Sequence, residues 1–385
     1  MSAASYRALL CDLRTDQVID ALPAEQVRFE EHIGKTGTAS LSIPVTGPAM
    51  AARARAAVTP ARTAVWIERD GDIWWGGIVW TATITPPSRS GPGAMEVQAS
   101  TFDSYLSARI LTDGWEGEGV DQFDIARQLV DYTQRTPGGD IGIMLDWAQT
   151  SGVLRDRAYS RYDLHYVRDL LDQLARVEGG FEWRIRAYRA SQGRRTKELQ
   201  LGHRVIRTGR TEIVLDRPGA VLDYELPVDG TVRATHWISR GATINRDQST
   251  DSYPLMSALF EVKNALAQGW PRLDGSSDYT TVEQQATLDA HAKADLMQAW
   301  TSTQAPRVTV MLDGTGLSPH LLGATVRLRI VDEWHPAGHD QRYRLIGMSV
   351  SPPGRDSAET AELYLEDPEA APSEERTRAY IQKGT

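Results

Sequence analysis

The residues best suited to metal binding are two histidines near the C-terminal end of the chain. His335 and His339 lie four residues apart, and Asp332 and Asp340 could add carboxylate oxygens. They fall between two predicted strands, without a third suitably spaced histidine and without a helix to hold them in one geometry. The single cysteine, Cys11, excludes a cysteine-based zinc site as well as an intrachain disulfide. The pattern favours a solvated hairpin loop over a metal site.

Acidic residues form two further groups that could do chemistry. One group lies in a glycine-rich stretch and comprises Glu116, Glu118, Asp121 and Asp124. Glycoside hydrolysis needs two carboxylates facing each other across a cleft, and a solvated loop leading into a helix is the simpler interpretation. The other group recurs at every fourth residue and comprises Asp12, Asp16 and Asp20. It lacks the glycine and the terminal glutamate of a calcium-binding loop, so we interpret these residues as surface charge.

Sequence motifs for nucleotide binding and hydrolysis are missing. There is no G-x-x-x-x-G-K-[ST], and the glycines of Gly138–Gly142 have the wrong spacing for a dinucleotide-binding loop. There is no G-x-S-x-G and no H-E-x-x-H. A nucleophilic enzyme would need serine, histidine and an acid, and no local pattern marks such a set. We therefore predict that the protein is not an enzyme and has no catalytic, cofactor-binding or metal-binding residues.

Aromatic and basic residues could bind sugars or nucleic acids. The chain has 11 tryptophans, and most lie in segments that alternate like strands, namely Trp66, Trp74, Trp80, Trp183 and Trp237. Packing in a core or an interface is the default role there. A short basic stretch, Arg194, Arg195 and Lys197, is predicted to be a loop tip and is too small to indicate nucleic-acid binding.

Composition limits the class of protein. The chain has 385 residues, which predicts two or three domains, and its net charge is −9. This balance argues against a dedicated nucleic-acid binder, although it allows a surface that DNA merely passes. Cys11 follows two leucines in a strand-like run, so we expect a small buried apolar residue. There is no visible secretory signal and no run of 18 apolar residues, so we expect no membrane-spanning segment.

The clearest predicted element is a β-hairpin. Val65–Ile67 and Ile73–Trp75 flank a turn that contains Asp70 and Gly71, a pair suited to the positive φ angles of a tight hairpin. The return strand contains the pair Gly76–Gly77, which predicts a β-bulge or a close approach of another backbone.

Three segments have helical periodicity. The first helix has Asp124 as its cap and ends at Pro137. The second runs from Asp163 to Val177 with an apolar face that comprises Leu164, Val167, Leu170, Leu171, Leu174 and Val177. We expect this face to pack on the next strand, which carries Phe181, Trp183 and Ile185. The third helix begins at Thr280 or Thr281 with a capping box to Glu283 and ends at Pro306.

The order of elements predicts a β-rich α+β fold. A first β region covers residues 1–110, and an inserted α+β region follows over 111–230. Residues 231–304 form a strand, a polar loop and a helix that link to a second β region, 305–367. The remaining residues, 368–385, are charged and predict a mobile tail.

Several segments resemble the tail-tip hub proteins of long-tailed bacteriophages, the baseplate hub and minor tail protein family, particularly the actinobacteriophage versions. The segments are, in chain order, Gly37–Pro44, Thr63–Gly71, Trp75–Val79, Phe102–Arg109 and Gly179–Trp183. The resemblance covers residues 25–367, and the order of the segments carries more weight than any one of them.

The resemblance implies a homotrimer in which each chain supplies two tube-type β-barrel domains that bracket the inserted region. The predicted barrels are residues 1–110 and 305–367, and three copies would present six barrels to a sixfold tail tube. Members of this family carry no catalytic residues in these parts, and their hydrolases are additional C-terminal domains. We therefore expect no fused lysozyme or peptidase.

The function implied by the resemblance is that of a structural virion protein of a siphovirus. It would close the distal end of the tail tube, anchor the tail tip and be assembled in the host cytoplasm. Its implied partners are the distal tail protein, the C-terminus of the tape measure protein, tail fibre or other tail-tip proteins, and DNA in transit. Two alternatives stay open, namely the hub of a contractile injection particle and a carbohydrate-binding or carbohydrate-degrading tail protein.

Overall fold

The computed structural model describes residues 4–87, 93–177, 179–227, 230–243, 253–301, 306–354, 357–367, 377 and 379–384. Strands dominate this part of the chain, and their bounds are β1 (Tyr6–Asp12), β2 (Val18–Asp20), β3 (Glu25–His32), β4 (Thr38–Val45), β5 (Thr63–Arg69), β6 (Asp72–Thr85), β7 (Gly93–Thr101), β8 (Trp115–Asp121), β9 (Ile143–Leu145), β10 (Leu154–Tyr159), β11 (Glu182–Arg189), β12 (Arg195–Gly202), β13 (Ile213–Arg217), β14 (Val221–Glu225), β15 (His236–Thr243), β16 (Pro254–Met256), β17 (Phe260–Val262), β18 (Asp274–Asp278), β19 (Arg307–Met311), β20 (Thr325–Ile330), β21 (His339–Ser351), β22 (Thr360–Glu366) and β23 (Ile381–Lys383).

The helical elements of the described residues are fewer. The α-helices are α1 (Pro48–Ala57), α2 (Gln122–Arg135), α3 (Val167–Ala175) and α4 (Gln285–Thr301). Short 3-10 helices cover Phe102–Ala108, Arg161–Asp163, Leu266–Gln268 and Pro319–Leu321. Within the described ranges, none of the helices is both long enough and apolar enough to cross a membrane.

One 13-stranded sheet joins the two ends of the chain. Its main path runs β14-β19-β22-β21-β3-β4-β7-β6-β5-β1-β2, while β20 pairs with β21 and β13 pairs in parallel with β20. The junction is the antiparallel pair β3–β21, in which Phe29 lies opposite Val350. Strands from both predicted β regions thus share one sheet and one core. The strands β13 and β14, from the predicted insert, join the same sheet.

The prediction of a β-rich α+β fold is confirmed, whereas the prediction of two tube-type β-barrels is not. The main path of strands is open at both ends, and the described residues form no closed barrel. The periodicity of a sequence indicates which side chains share a face of a strand, but it does not show which strand edges meet. The division into domains at the predicted boundaries stays a prediction.

The inserted region packs on the outer side of β5 and β6. Its sheets are β11-β12-β9 and β8-β10, and helices α2 and α3 cover them. Strand β5 is buried on both faces, because Val65 faces the core of the main sheet while Trp66 packs against Phe102 in the second core. This explains why the sequence of β5 is a nearly continuous apolar run and does not alternate between polar and apolar residues.

A third group of elements has its own small core. Strands β16-β15-β17-β23 form a sheet, β18 pairs with β15, and α4 packs on them through residues such as Leu296 and Phe260. Strand β23 belongs to the predicted tail, 368–385, and pairs with β17. For 368–376, 378 and 385, the prediction of a mobile tail lies outside the described residues.

The predicted hairpin is confirmed in detail. Arg69 pairs with Asp72, and the turn residues Asp70 and Gly71 have φ angles of 51° and 87°. The glycine pair marks a close approach, since a Cβ atom on Gly77 would lie 2.2 Å from the carbonyl oxygen of Ser100. Only glycine fits at that position without moving backbone.

The predicted helices exist, but their first residues differ from the prediction. Helix α2 is capped by Asp121 rather than Asp124, because the Asp121 carboxylate accepts the N–H of Phe123. Helix α3 begins only at Val167, since Leu164 has a φ of 51° and interrupts the helix. The predicted capping box before α4 is wrong, because the carbonyl of Val282 accepts the N–H of Ala242 and the helix begins at Gln285.

Candidate functional site

The main sheet presents one face of short polar side chains, which we call the polar face. In register across the strands, this face comprises Asp223, Thr309, Glu362, Ser349 and Glu30, then Arg28, Ser40, Gln98 and Thr81, then Ser42, Glu96 and Thr83. The residues that alternate with them, such as Phe29, Val350 and Val97, lie in the core. The alternation of polar and apolar residues along each strand therefore creates one wetted surface over the width of the sheet.

The polar face is weakly acidic. Its members include four carboxylates and one guanidinium, that of Arg28. Hydrogen bonds hold the carboxylates in place, because Thr38 donates to Glu30 at 3.0 Å and Ser42 donates to Glu96 at 2.7 Å. A hydrogen bond from His32 lowers the pKa of Glu30, which keeps this carboxylate ionised at neutral pH. Such a face repels phosphate and lacks the basic stripe of a nucleic-acid-binding surface.

A concavity of about 460 Å³ lies at the centre of the polar face. Its lining includes Arg28, Glu30, Gln98 and Ser349, together with Trp80 at one side. These strands come from both β regions, so the concavity spans the junction between β3 and β21. The short hydroxyl-bearing side chains offer contacts to water and to a passing polymer rather than a fitted small-molecule pocket.

The main path of the sheet ends in two open edges. Strand β2 pairs only with β1 among the described residues, and strand β14 pairs only with β19. Apolar side chains are exposed at both edges: Val18 is 50% and Ile19 is 45% exposed on β2, and Leu222 is 45% exposed on β14. Proteins normally cover or blunt such edges, so both are candidate assembly surfaces.

Buried ion pairs attach the inserted region to the main sheet. Arg184 of β11 pairs with Glu31 of β3 at 3.2 Å, and both side chains are buried. Arg168 of α3 pairs with Asp103, which follows β7. Arg344 of β21 donates to Glu182 at 2.5 Å and also pairs with Glu366. Arg184 and Glu182 link β11 to β3 and β21 of the main sheet, and Arg168 links α3 to the 3-10 helix that follows β7, so these pairs hold the inserted region against the sheet. Glu366 lies on β22 of the same sheet.

Burial dominates the electrostatics of the Glu31–Arg184 pair. Burial raises the pKa of Glu31 to about 7, although Arg184 opposes this shift. Burial also lowers the pKa of Arg184. The carboxylates of Glu182 and Glu366 raise the pKa of Arg344 despite its burial. The Glu31–Arg184 pair is therefore the anchor that responds to pH near neutrality.

The structure separates the acidic residues of the glycine-rich stretch. Asp121 caps α2 and accepts the N–H groups of Ser151 and Gly152, and these backbone hydrogen bonds lower its pKa. Asp124 forms an ion pair with Arg127. Glu116 and Glu118 lie instead on β8, on one wall of a cleft. Two of the four residues are thus structural, and the other two belong to a surface.

Of the two histidines, only His335 lies in the predicted hairpin loop. His335 belongs to the connection between β20 and β21, and His339 begins β21. Their ring centroids are 5.1 Å apart, but Asp340 pairs with Arg327 and Asp332 accepts from Tyr224. Over the ranges that the structure describes, no group of three or more histidine, cysteine or acidic residues could hold a metal ion.

The aspartates Asp12, Asp16 and Asp20 are more than surface charge. Asp12 accepts the N–H of Thr15 at the turn after β1, and Asp20 forms a two-hydrogen-bond pair with Arg53 of α1. Asp16 accepts from the indole of Trp66 and pairs with Arg195. The prediction of plain surface charge is therefore wrong, because Asp16 and Asp20 bond to other elements and Asp12 closes the turn after β1.

The predicted basic loop tip is correct only for Arg194, which is exposed in the turn just before β12. Arg195 turns inward to Asp16, and Lys197 is only 4% exposed. The ammonium of Lys197 donates to the carbonyls of Leu13 and Ile141, and burial lowers its pKa to about 8. Residues 195–197 are part of β12, so alternation places Arg195 and Lys197 on one side of the strand, toward the protein.

The tryptophans of the strands pack as predicted. Trp66 and Trp183 are buried in the core of the inserted region, and Trp74 is buried in the core of the main sheet. Trp80 and Trp237 are partly buried, and their indoles donate to Ser104 and Ser277. Cys11 is fully buried, as expected.

Sequence reasoning missed three features of the structure, namely the buried ion pairs, the buried Lys197 and a cleft beside His291. The only sequence signal for the ion pairs is a charged residue at an inward position of a strand, as for Glu31, which shares its face of β3 with the buried Phe29. Such a signal identifies the first partner alone, because the second partner is more than 60 residues away in each case except that of Glu366.

Comparison with known proteins identifies the fold. No protein-family model matches the chain, and no curated protein sequence matches it. The tail protein from Neisseria meningitidis MC58 has a similar structure, with a TM-score of 0.61 and 12% identity over 96% of this chain and 98% of that one. The 43 kDa tail protein of prophage MuSo2 from Shewanella oneidensis gives a TM-score of 0.58 and 10% identity over 95% and 99% of the two chains.

A third similar structure is the prophage tail protein gp18 from Listeria monocytogenes EGD-e. Its TM-score is 0.52, with 12% identity over 94% of this chain and 95% of that one. At these identities the likeness shows a shared fold, and the chain has the fold of these phage tail proteins. The narrower prediction of an actinobacteriophage-like version has no support from these structures.

Proposed function

We propose that the protein is a structural component of a phage tail, specifically a baseplate hub or minor tail protein that closes the distal end of the tail tube as a homotrimer. The observation that carries the proposal is the single sheet that joins both β regions, with a polar face and two open edges. The shared fold with phage tail proteins supports it at the level of architecture.

The polar face suits the lining of a channel through which DNA moves. Its side chains are short and hydrated, and carboxylates outnumber guanidinium groups. A weakly acidic lining repels phosphates and therefore lets DNA pass without holding it. On this proposal the polar face points to the channel, and the inserted region packs on the same side of the sheet, further along at β5 and β6.

The open edges suit a head-to-tail ring. The edge at β2 differs from the edge at β14, so a contact between them is heterologous and generates a ring when the rotation closes. Both edges expose apolar side chains, namely Val18 and Ile19 on β2 and Leu222 on β14, which a contact between copies would bury. Three copies would then present six β regions, which matches a sixfold tail tube. Each β region would act as one tube-type unit even though it does not close alone.

The remaining partners and the location follow from the same proposal. The protein would lie at the tail tip of a siphovirus virion after assembly in the host cytoplasm. It would contact the distal tail protein, the C-terminus of the tape measure protein and tail fibre or other tip proteins. A hub of a contractile injection particle is the second candidate, and the same sheet and edges support it equally.

A reconstruction of the assembled particle tests the trimer. We expect three copies at the tail tip, with the β regions 1–110 and 305–367 alternating around the axis. Six copies, or one β region lying outside the ring, would contradict the proposal. A contractile sheath around the same hub would favour the second candidate.

We also propose that the chain has no enzymatic activity. Incubation of the purified protein with host peptidoglycan and capsule should release no soluble fragments, and a glycan array should show no binding. Release of fragments that disappears in Glu116→Gln or Asp121→Asn would overturn this proposal and favour the carbohydrate-degrading alternative.

A further inference from the structure

A polar cleft of about 750 Å³ lies between the inserted region and the element group that contains α4. One wall comes from β8, β10 and the loop after β10, and the other wall comes from residues 280–291. This volume lies within the range of ligand-binding sites, about 300–1,000 Å³. The polar face lies on a different sheet, so the cleft is separate from the proposed channel and open edges.

The cleft is strongly acidic. Its lining includes six carboxylates and one guanidinium, namely Asp113, Glu116, Glu118, Asp156, Asp163, Glu283 and Arg157. Glu116 and Glu118 face the cleft from β8, and Glu283 faces it from the opposite wall. These three glutamates have no ion-pair partner among the described residues. Carboxylates on two walls attract a cationic group that can lie between them.

A buried histidine gives a second, independent indication of a ligand. His291 lines the cleft and is only 2% exposed, and its Nδ1 atom has no hydrogen-bond partner among the described residues. The ring stacks on Tyr279 at 3.9 Å, and the Tyr279 hydroxyl donates to Asp295, so the imidazole is held in place. Burial lowers the pKa of His291 to about 3, and Arg157 and Arg155 contribute to this shift. An uncharged imidazole nitrogen can accept a hydrogen bond from a cationic donor.

An exposed aromatic side chain stands at the rim. Tyr162 is 85% exposed and lies between Ser160 and Asp163, both of which line the cleft. The next residue but one, Leu164, is 57% exposed and has a φ of 51°, a conformation that leucine rarely adopts. A guanidinium group stacks favourably on such a tyrosine ring. The rim therefore adds apolar and aromatic contacts to the acidic walls.

We propose that this cleft binds an extended, arginine-containing segment of a partner protein, whose guanidinium groups lie between Glu116, Glu118 and Glu283. The inference goes beyond the proposed tail role, because it assigns a binding site to the inserted region. The carboxylates provide the charge, Tyr162 provides a stacking surface, and His291 provides an acceptor at the base of the cleft.

Peptide binding to the purified full chain tests the proposal. The probe is a fluorescein-labelled hexapeptide with three arginines, and the reference is the same peptide with three glutamines. We expect fluorescence anisotropy to show at least about tenfold tighter binding of the arginine peptide. Glu116→Gln, Glu118→Gln and Glu283→Gln, combined in one chain, should remove about a factor of ten or more from that affinity.

A matched control separates the cleft from the net charge of the chain. Asp223→Asn, Glu225→Gln and Asp313→Asn remove the same charge at exposed positions outside the cleft and should leave the affinity within about twofold. His291→Phe keeps the ring stacking on Tyr279 and should weaken binding at least about threefold. Equal losses in the two triple variants, or no binding by the parent chain, would overturn the proposal. Because the chain is tested unassembled, the result does not depend on whether a trimer forms.

Discussion

At the scale of single residues, buried charges hold this fold together. Arg184 and Glu31, Arg168 and Asp103, and Lys197 with two carbonyls all lie where water is excluded. Removing one partner of a buried pair is costly, because it leaves a charge without solvation. The stability of the protein should therefore depend on pH through Glu31 and Lys197 more than through its many surface ion pairs.

Lys197→Met tests the burial of a charge. The pKa of Lys197 is lowered to about 8, so between pH 8 and 10.5 the unfolded chain binds more protons than the folded one and the folding stability rises with pH. Between pH 7.5 and 10, the free energy of unfolding of the parent should rise by about 2 kcal/mol relative to that of Lys197→Met. Urea unfolding at both pH values measures this difference. The control is Lys35→Met, at an exposed position. The difference in free energy of unfolding between the parent and this control should be the same at both pH values.

Arg184→Met tests the main anchor of the inserted region. At pH 8 the substitution leaves the Glu31 carboxylate buried and unpaired, and we expect a loss of about 3–5 kcal/mol in the free energy of unfolding. Because the pKa of Glu31 is raised to about 7, the folded state binds one proton more than the unfolded state between pH 4.5 and 7. Arg184 lowers this pKa, so its removal strengthens the effect. The loss should therefore be smaller at pH 5.5.

Urea unfolding of the Arg184→Met chain at pH 5.5 and pH 8 measures the effect, and Glu31→Gln combined with Arg184→Met shows whether the two residues act as a pair. Equal losses at both pH values would contradict the assignment of the pH dependence to Glu31.

At the scale of elements, hydrophobic periodicity predicted helix α3 and the strand that it covers. Leu170, Leu171 and Leu174 share a core with Trp183 and Ile185, as the apolar face predicted. The periodicity failed at Leu164, which fits the spacing but is exposed. Leu164 lies before the helix and has a positive φ, and no spacing of apolar residues reveals that local conformation.

A pair of aspartate substitutions measures this difference. Leu171 is fully buried, so Leu171→Asp should cost about 4 kcal/mol or more and lower the melting temperature sharply. Leu164→Asp should change the stability by less than about 0.5 kcal/mol, because the side chain is exposed and aspartate tolerates a positive φ better than leucine does. Thermal unfolding measures both variants. Equal melting temperatures would show that the face is wrongly assigned.

At the scale of the whole molecule, the proposed assembly makes the two open edges the surfaces through which copies meet. Leu222→Asp adds a carboxylate to the exposed edge β14, where the isolated chain should tolerate it. The same carboxylate would face the exposed apolar side chains of Val18 and Ile19 in the next copy, so we expect the variant to fold normally but to be incorporated into tail tips at a small fraction of the parent level. Quantitative immunoblotting of purified particles measures incorporation.

Leu266→Asp is the control for this substitution, because Leu266 is 53% exposed in the element group of α4, away from both edges. Normal incorporation of Leu222→Asp, or an equal defect in Leu266→Asp, would contradict a role of the β14 edge in assembly.

The sequence alone determined the local features whose causes are local. The Asp70–Gly71 turn requires positive φ angles, the alternation in β3, β4 and β7 divides a polar from an apolar face, and the spacing of leucines in α3 creates a buried stripe. A resemblance of short segments to phage tail hubs anticipated a fold that the solved tail proteins share at 10–12% identity. These features depend on neighbours within a few residues or on the order of segments along the chain.

Only the tertiary structure decided which distant residues meet. In the structure, β3 and β21 join in one open sheet rather than in two closed barrels. Lys197 points inward, and Glu31 pairs with Arg184 across 153 residues. Glu116 and Glu283 lie on the two walls of one cleft. Strand pairing and buried electrostatics depend on edges and partners that are far apart in sequence. Residue patterns along a strand indicate which side chains share a face, but they do not indicate which strand edges pair. For this physical reason, the open edges could be identified only from the tertiary structure.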